Sequence, residues 1–568
     1  MFITAYKRWR RLKREIHLFY QCSWLWTVFH WKRKLISLQM SVVDFWSGNA
    51  KHGQAIINGF FFIYDKNQRF FQMSWSEVAS IFSVDSYFAS YTCGFSWIRD
   101  LKATGDMSAR RLARRIIEFW IDNNLAKKTF LKEPQKRAVV AAMRLSSWLT
   151  LYDFFGASAQ DSFKKKFLIG IQREYNFIKR RLIKENNKLI ILKALIEYNV
   201  YLDYDPSFFK LLLYEIIKVV NFIEGENNFK FKSISKNFNN FCIFIELRNT
   251  LRQWEKTFSH SGNIHIALFD LAFKKIQKYL QIITPVIRFY RHSNGVLCNL
   301  KSEKKNYLFQ ESILAGKVDT ALSQIEDISL EEFFPDDILR FSDKQSVLFI
   351  DLNVSEPKKS NLNEYGKNFA DSFLNFEWSV NANNIINKNS SLLFQKNKIP
   401  IFLKKNLLKN EKKKILHDFS QKNDSAGVFF FNGILHQNET TEGSYFFSRE
   451  LRLFSQDNLL CGSDIITMLG PTEEALGILQ FNLGKNLKVV EIKHTNDKGY
   501  IIYNFEPDFT EKVRKNSKKS EKLIFVVISE KPFFVKNTSS NNQPVITVGY
   551  SLEGSSETQL NWSFQLLK

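Results

Sequence analysis

The side chains best able to transfer a proton stand together in one short segment, Tyr290-Arg291-His292-Ser293-Asn294-Gly295. Histidine titrates near neutral pH, arginine pairs with anions, and tyrosine both packs its ring and hydrogen-bonds its hydroxyl. Two interpretations of His292 stay open: it hydrogen-bonds the turn in which it lies, or it acts as a proton acceptor or substrate contact. Tyr290 and Arg291 allow the same choice between a structural contact and a chemical one.

Familiar catalytic and metal-binding patterns are absent from the sequence. There is no Walker loop, no GxSxG elbow, no HExxH pair and no GxGxxG dinucleotide pattern. The nine histidines form no set with Asp or Glu at metal-ligand spacing, so we expect neither a metal nor a cofactor. The five cysteines include no CxxC pair, which indicates a reducing compartment or a fold that does not depend on disulfides.

The net charge of +24 indicates affinity for a polyanion. The candidates are nucleic acid, acidic lipid and polysaccharides that carry uronate or sulfate. No nucleic-acid-binding motif is present, so we expect no specific nucleic acid. The abundance of Phe, Lys, Asn and Ile is also typical of an AT-rich genome, which raises net charge without any partner. The arginines between Arg110 and Arg115 are expected to be a solvated helix face, with an anionic groove as the alternative.

Residues 1–40 form a basic N-terminal segment without the unbroken apolar core of a signal peptide. The stretch QCSWLWTVF is too short to span a bilayer. We expect a first helix packed on the following domain, with a helix on an anionic membrane surface as the alternative. The expected location is cytoplasmic or inner-membrane-associated, and a periplasmic location is the alternative.

The hydrophobic pattern divides the rest of the chain into a helical domain at 41–304 and a β-rich domain at 305–568. Apolar residues recur at helical spacing from about 106 to 285, and Asp106, Ser108 and Pro206 are suited to begin helices. Beyond 305, short strand-like runs such as SVLFIDL and LIFVVIS alternate with Asn-, Gly- and Ser-rich turns. This predicts an α+β chain in which helical hairpins form a solenoid or ring and antiparallel sheets form a β-sandwich. We expect irregular structure at 353–425.

Several segments of the chain together have the pattern of a known family. They are Val43-Asp44-Phe45-Trp46-Ser47-Gly48-Asn49, Ala55–Phe60, Gly94–Asp106 with the helix up to Ile121, Trp148–Ser158, Arg288–Gly295, Leu374–Ser379, Ile385–Asn387 and Leu451–Asp464. These segments resemble the heparinase II/III-like family in its alphaproteobacterial branch, and the resemblance is good over about 40–300 and thinner beyond. The resemblance implies an N-terminal (α/α) toroid, a C-terminal β-sandwich and a carbon–oxygen lyase that cleaves an acidic, uronate-containing polysaccharide by elimination.

Such elimination requires that the uronate carboxylate is neutralised, that a His or Tyr takes the α-proton, and that a Tyr or His protonates the leaving oxygen. The resemblance implies His292 and Tyr290 as catalytic residues. It implies a substrate-binding set of Ser233, Lys236, Asn237 and Arg291.

The sequence departs from the family where the other histidines belong. Ser233 stands in place of the histidine of the Gly-Gly-His-x-x-Arg-Asn segment, and Lys236 replaces its arginine. Other expected histidines fall near Ala370 and near Phe447. The Arg-Phe-His-Leu-His segment reads Gln480-Phe481-Asn482-Leu483-Gly484. The substituted side chains cannot take a proton near neutral pH. The alternative function is therefore that of a pseudoenzyme, which binds an acidic glycan or an envelope component without cleaving it.

Overall fold

The computed structural model describes part of the chain. The described residues are 44–61, 71–72, 92–122, 134–182, 188–225, 234–258, 266–293, 295–298, 315–326, 338–343, 346–352, 375–380, 383–395, 417–423, 428–436, 444–469, 475–484, 487–494, 498–505, 522–529, 533–540, 543–552 and 557–567. The chain divides into a helical unit, Met1–Arg288 with Glu303–Phe334, and a strand unit, Phe289–Ser302 with Pro335–Lys568. The sequence predicts a single boundary between 304 and 305. In the structure the chain passes into the strand unit at Phe289, returns to the helical unit at Glu303 and enters the strand unit again at Pro335.

The helical unit contains helices of 4 to 25 residues and one short pair of strands. The helices are Ala50–Ile57 (α1), Ile98–Thr104 (α2), Met107–Asp122 (α3), Pro134–Thr150 (α4), Tyr152–Phe155 (α5), Asp161–Arg181 (α6), Lys188–Tyr201 (α7), Pro206–Gly225 (α8), Ile234–Phe258 (α9), Ile266–Phe289 (α10) and Ala315–Ser323 (α11). The strands are Phe60–Phe61 (β1) and Phe71–Gln72 (β2).

Local sequence explains where several helices begin. Asp106 accepts a hydrogen bond from the backbone N–H of Ser108 at 3.0 Å, which caps the start of α3 as predicted. Asp205 accepts hydrogen bonds from the backbone N–H groups of Ser207 and Phe208, and Pro206 opens α8. These caps satisfy backbone donors that have no partner inside a helix.

Helix α7 lies inside the helical unit. Every residue from Leu189 to Tyr201 is buried, and the helix contacts α4, α8 and α9. A helix that is buried on all sides must pair its polar residues with other side chains, because unpaired polar groups in an apolar interior are destabilising.

Helices α1 and α2 approach each other closely through two glycines. A Cβ atom at Gly48 would lie 2.1 Å from the backbone oxygen of Arg99, and one at Gly53 would lie 2.2 Å from that of Asp100. Any side chain at these positions would therefore collide with the backbone of α2. The close approach lets Asp100 accept a hydrogen bond from the backbone N–H of Asn49 at 2.7 Å.

The strand unit contains two antiparallel sheets. Its strands are Ile338–Ser342 (β3), Ser346–Asp351 (β4), Phe376–Val380 (β5), Asn383–Gln395 (β6), His417–Asn423 (β7), Val428–His436 (β8), Ser444–Phe454 (β9), Leu459–Leu469 (β10), Ala475–Leu483 (β11), Leu487–His494 (β12), Lys498–Phe505 (β13), Lys522–Ser529 (β14), Phe533–Ser540 (β15), Gln543–Leu552 (β16) and Glu557–Leu567 (β17). One sheet has the order β12-β13-β14-β17-β10-β9-β8-β7, and the other has the order β15-β16-β11-β6-β5-β4-β3.

The two sheets share one hydrophobic core. Phe376 of β5 stacks on Trp562 of β17 with 5.4 Å between ring centroids, and Phe481 of β11 meets Phe564 of β17 edge to face at 5.0 Å. Alternate residues of β17 are buried, as expected for a strand that covers a core with one face.

The α+β class expected from the sequence is confirmed, but one detail is wrong. Residues 353–425 were expected to be irregular, yet β5, β6 and β7 lie there, and β6 is ordered by pairing with β5 and β11 on either side. In α3, whose apolar face is centred on Ala113, Ile117 and Trp120, Phe119 lies off that face and is 37% exposed. Within the described part of the chain, no helix is long and apolar enough to cross a membrane.

Candidate functional site

The segment that holds the predicted catalytic residues is a tight turn at the end of α10. Arg291 and Leu297 form a β-bridge, and the backbone N–H of His292 donates to the Val296 carbonyl at 2.8 Å. Gly295 has φ 80°, a conformation that favours glycine, and its N–H donates to the carbonyl of His292 at 2.9 Å. The turn therefore fixes the backbone of His292 from both sides.

The His292 ring lies inside the strand unit and contacts two polar side chains of β5. Its Nε2 is 2.9 Å from Glu377 Oε2, and its Nδ1 is 3.0 Å from Ser379 Oγ. The ring also meets Phe349 of β4 edge to face at 4.9 Å between centroids. The side chains of His292 and Glu377 are 2% and 1% exposed, so solvent reaches neither group.

These contacts occupy both nitrogens of the ring, one with Glu377 and one with Ser379. A proton acceptor must offer a free nitrogen to its substrate, and neither nitrogen of His292 is free within the fold.

Tyr290 and Arg291 also turn toward the protein. Tyr290 is fully buried, and its ring meets Phe289 edge to face at 5.1 Å. Arg291 is 8% exposed, and its Nε donates to the carbonyl of Gly295 at 3.0 Å. The structure thus brings Tyr290, Arg291 and His292 together in one turn, with backbone and side-chain contacts that hold the turn closed.

The remaining predicted residues belong to the helical unit. Lys236 and Asn237 lie in the first turn of α9, where Lys236 is exposed and Asn237 is half-buried. Ser233 lies outside the described residues. Their proposed contact with a substrate stays a prediction, as do the catalytic roles of His292 and Tyr290.

Sequence reasoning missed the roles of Glu377 and Ser379, although both stand in a segment that carries the family resemblance. In the strand Phe376-Glu377-Trp378-Ser379-Val380 the two polar residues alternate with apolar ones, and all five residues are buried. Polar side chains at i and i+2 of a strand share one face. A strand buried on both faces that keeps two such residues indicates a polar partner, and here that partner is His292.

A second polar cluster lies in the interior of the helical unit. Arg99 of α2 donates two hydrogen bonds to Asp44, at 2.8 and 2.9 Å, and its Nη2 lies 3.6 Å from Glu246 Oε1 on α9. Lys193 of α7 pairs with Glu246 at 2.7 Å and with Glu197 at 3.2 Å. The cluster joins the segment before α1 to α2, α7 and α9.

Burial and charge together set the protonation of this cluster. Burial raises the pKa of Glu197, and the nearby positive charge of Lys193 opposes this only in part. Burial alone would lower the pKa of Lys193, but the charges of Glu197 and Glu246 raise it. The side chains of the cluster are largely buried, from 1% exposed for Glu197 to 14% for Arg99, so the cluster is part of a polar core.

The neighbouring residues Arg99 and Asp100 have different partners. The guanidinium of Arg99 pairs with Asp44, while Asp100 accepts the backbone N–H of Asn49. Neighbouring residues on a helix point in different directions, so the two side chains reach different parts of the segment 44–57. Both residues thus fix the segment before α1 against α2.

The segment at 480–484, which stands in place of the family's Arg-Phe-His-Leu-His, belongs to strand β11 up to Leu483. Phe481 and Leu483 of β11 are in the hydrophobic core, and Gln480 Nε2 donates to Thr547 Oγ1 of β16 at 3.3 Å. The positions near Ala370 and the basic segment 1–40 lie outside the described residues. Among the described residues no group of three or more His, Cys, Asp or Glu side chains is arranged to hold a metal ion.

Comparison with known proteins adds little to this geometry. No protein family profile and no curated protein matches the chain. Among solved structures, the 4-alpha-glucanotransferase from Thermococcus litoralis is 10% identical and has a TM-score of 0.23, over 73% of this chain and 66% of that one. The chain thus spans slightly less than two thirds of that structure's length. A similarity this distant supports no assignment.

Proposed function

We propose that this chain is a heparinase II/III-like protein that binds an acidic, uronate-containing polysaccharide without cleaving it. In this proposal the helices of the first unit belong to an (α/α) toroid, and the two sheets of the second unit form a β-sandwich. The observation that carries it is the environment of His292, whose two ring nitrogens are held by Glu377 and Ser379 away from solvent.

The proposal joins two features of the chain. The histidine that remains in the family-like segments is used to hold a turn on β5, and Ser233, Asn482 and Gly484 stand where other histidines are expected. None of these replacements takes a proton near neutral pH. The net charge of +24 nevertheless favours a polyanion, and binding needs only cations and hydrogen-bond donors.

Incubation with a panel of uronate polymers tests this function directly. Heparan sulfate, alginate and related polymers should bind the folded protein at low ionic strength and release it at high ionic strength, because salt screens charge pairs at a surface. Ultraviolet absorbance should show no unsaturated product in the same samples. Absence of binding across the panel at low ionic strength would reject the proposal.

Eliminative cleavage, by a carbon–oxygen lyase, is the second candidate function. It is favoured by the fact that Tyr290, Arg291 and His292 stand together in one turn, as the resemblance implies. The same assay separates the two functions, since a lyase gives unsaturated product. Loss of that product in Y290F, with binding retained, would assign the elimination to this turn and replace the first proposal.

A further inference from the structure

Helix α3 carries an unusual concentration of arginine. Of the 81 basic residues in the chain 24 are arginines, and four of these, Arg110, Arg111, Arg114 and Arg115, fall within six residues. Genomic drift toward AT-rich codons enriches lysine, so it does not explain an arginine cluster. The spacing places all four on about 140° of the helix surface, because successive residues are about 100° apart.

Within the described part of the chain, none of these four arginines takes part in an ion pair. The acidic side chains Glu118 and Asp122 at the other end of α3 are both engaged by Lys166 of α6, at 2.9 and 3.1 Å. The last turn of α3 contains no basic residue. This distribution is the reverse of the one that a helix dipole stabilises, so helix stability does not account for it.

The arginines repel one another. Burial, followed by the positive charges of Arg110 and Arg111, lowers the pKa of Arg114. Like charges four residues apart on a helix are destabilising, and the cluster contains two such pairs, Arg110 with Arg114 and Arg111 with Arg115. An anion bound between the guanidinium groups would relieve this repulsion.

Two of the four side chains are held in place by the neighbouring segment. Arg114 donates through Nε to the carbonyl of Phe155 at 2.5 Å and through Nη2 to Ser158 Oγ at 2.6 Å. The guanidinium of Arg110 lies 5.8 Å from the centre of the Phe154 ring. Arg111 and Arg115 are exposed, so they are free to contact a ligand next to two positioned charges.

We propose that Arg110, Arg111, Arg114 and Arg115 form a binding site for the anionic groups, carboxylate or sulfate, of an acidic polysaccharide. This inference rests on the proposed function and names the surface that performs it. Guanidinium groups bind both anions with two parallel hydrogen bonds, which a lysine ammonium cannot provide. Several such contacts along a chain with repeating charges add up, although each exposed pair alone is weak.

The double variant R111Q/R115Q removes the two exposed charges and leaves the two positioned arginines in place. Its matched control is K274Q/K278Q, which removes two exposed charges at the same spacing on α10. Binding of fluorescently labelled alginate and heparan sulfate to each protein is measured by thermophoresis at low ionic strength. We expect affinity to fall about tenfold in R111Q/R115Q and to change less than twofold in the control.

The outcomes separate this inference from the proposed function. If R111Q/R115Q loses affinity for both polymers, the site recognises carboxylate groups. If it loses affinity for heparan sulfate alone, the site recognises sulfate groups. If the wild type binds, but R111Q/R115Q and the control lose the same affinity or neither loses any, the proposed site is wrong and the proposed function stands. If the wild type binds neither polymer, both are wrong. The thermal midpoint of R111Q/R115Q should equal or exceed that of the wild type, because repulsion is removed, so weaker binding would not reflect unfolding.

Discussion

His292 gives the sharpest test of the structure, because its two interpretations predict opposite results. In H292A the ring that joins the turn at 290–298 to β5 is lost. Glu377, whose side chain is 1% exposed, then remains buried without the hydrogen bond of 2.9 Å, and Ser379 loses the contact at 3.0 Å. If the histidine were instead an exposed catalytic group, the substitution would leave the stability of the strand unit unchanged.

The expected loss of stability follows from these contacts. Removal of one member of a buried, charged hydrogen-bonded pair costs about 3–5 kcal/mol, because the other member stays buried without compensation. The conservative variant E377Q keeps an oxygen that accepts from Nε2, so it should cost only about 1 kcal/mol. With a urea dependence of about 2–3 kcal/mol/M, H292A should lower the unfolding midpoint by roughly 1–2 M, and E377Q by much less.

Hydrogen–deuterium exchange under mild urea reports on the strand unit separately from the helical unit. Peptides that cover β4 and β5 should exchange faster in H292A, while peptides that cover α7 should exchange as in the wild type. Equal exchange of β4 and β5 in H292A and the wild type would refute the structural role of His292. Combined with loss of an unsaturated product, that result would support its predicted catalytic role.

Three further changes test the interior of each unit. R449M leaves the buried Asp464 of β10 without the two hydrogen bonds of 2.6 and 2.8 Å from Arg449 of β9, with only that of Trp562 at 3.3 Å, and should cost about 3–5 kcal/mol in urea unfolding. R449M/D464L should recover most of that loss, and an equal loss in both variants would contradict this. G48A places a Cβ atom 2.1 Å from the carbonyl oxygen of Arg99 and should lower the melting temperature of the helical unit by several degrees. An unchanged melting temperature would show that the segment before α1 can move away from α2. Burial raises the pKa of Glu197 above its unfolded value, so native protein binds more protons than unfolded protein, and stability should fall as pH rises above about 4.5. The melting temperature of E197Q should fall less than that of the wild type over the same pH range.

The sequence predicted elements best where local pattern and burial agree. The runs at 346–352 and 523–529 are β4 and β14, and Pro206 begins α8, because alternation and helix-start chemistry are local properties. Strand β6 contains the polar run Asn387-Lys388-Asn389-Ser390-Ser391, which gives no alternating pattern. Its order comes from pairing with β11, which begins some 80 residues later in the chain. Such long-range pairing cannot be read from a window of residues.

The candidate site also combines a local feature that the sequence predicts with a long-range contact that it does not. That Tyr290, Arg291 and His292 lie together in one turn was evident from the sequence, since they are neighbours. That the ring of His292 is enclosed by Glu377 and Ser379 was not evident, because 85 residues separate His292 from Glu377 along the chain. The exposure of a titratable side chain depends on such contacts, and it decides whether the side chain takes part in chemistry or in packing.

The segments that carry the family resemblance consist largely of residues with a packing role. Gly48 lets α1 approach α2, Arg99 pairs with Asp44 in the interior, and Glu377 holds His292. Residues of this kind specify packing, and packing does not by itself specify a reaction. A resemblance built on them therefore bears on the scaffold more than on the chemistry. Two arginines of α3, Arg111 and Arg115, lie in the same segments but are exposed, so they do not contribute to the core. For this reason the search for a ligand should begin at the surface of α3.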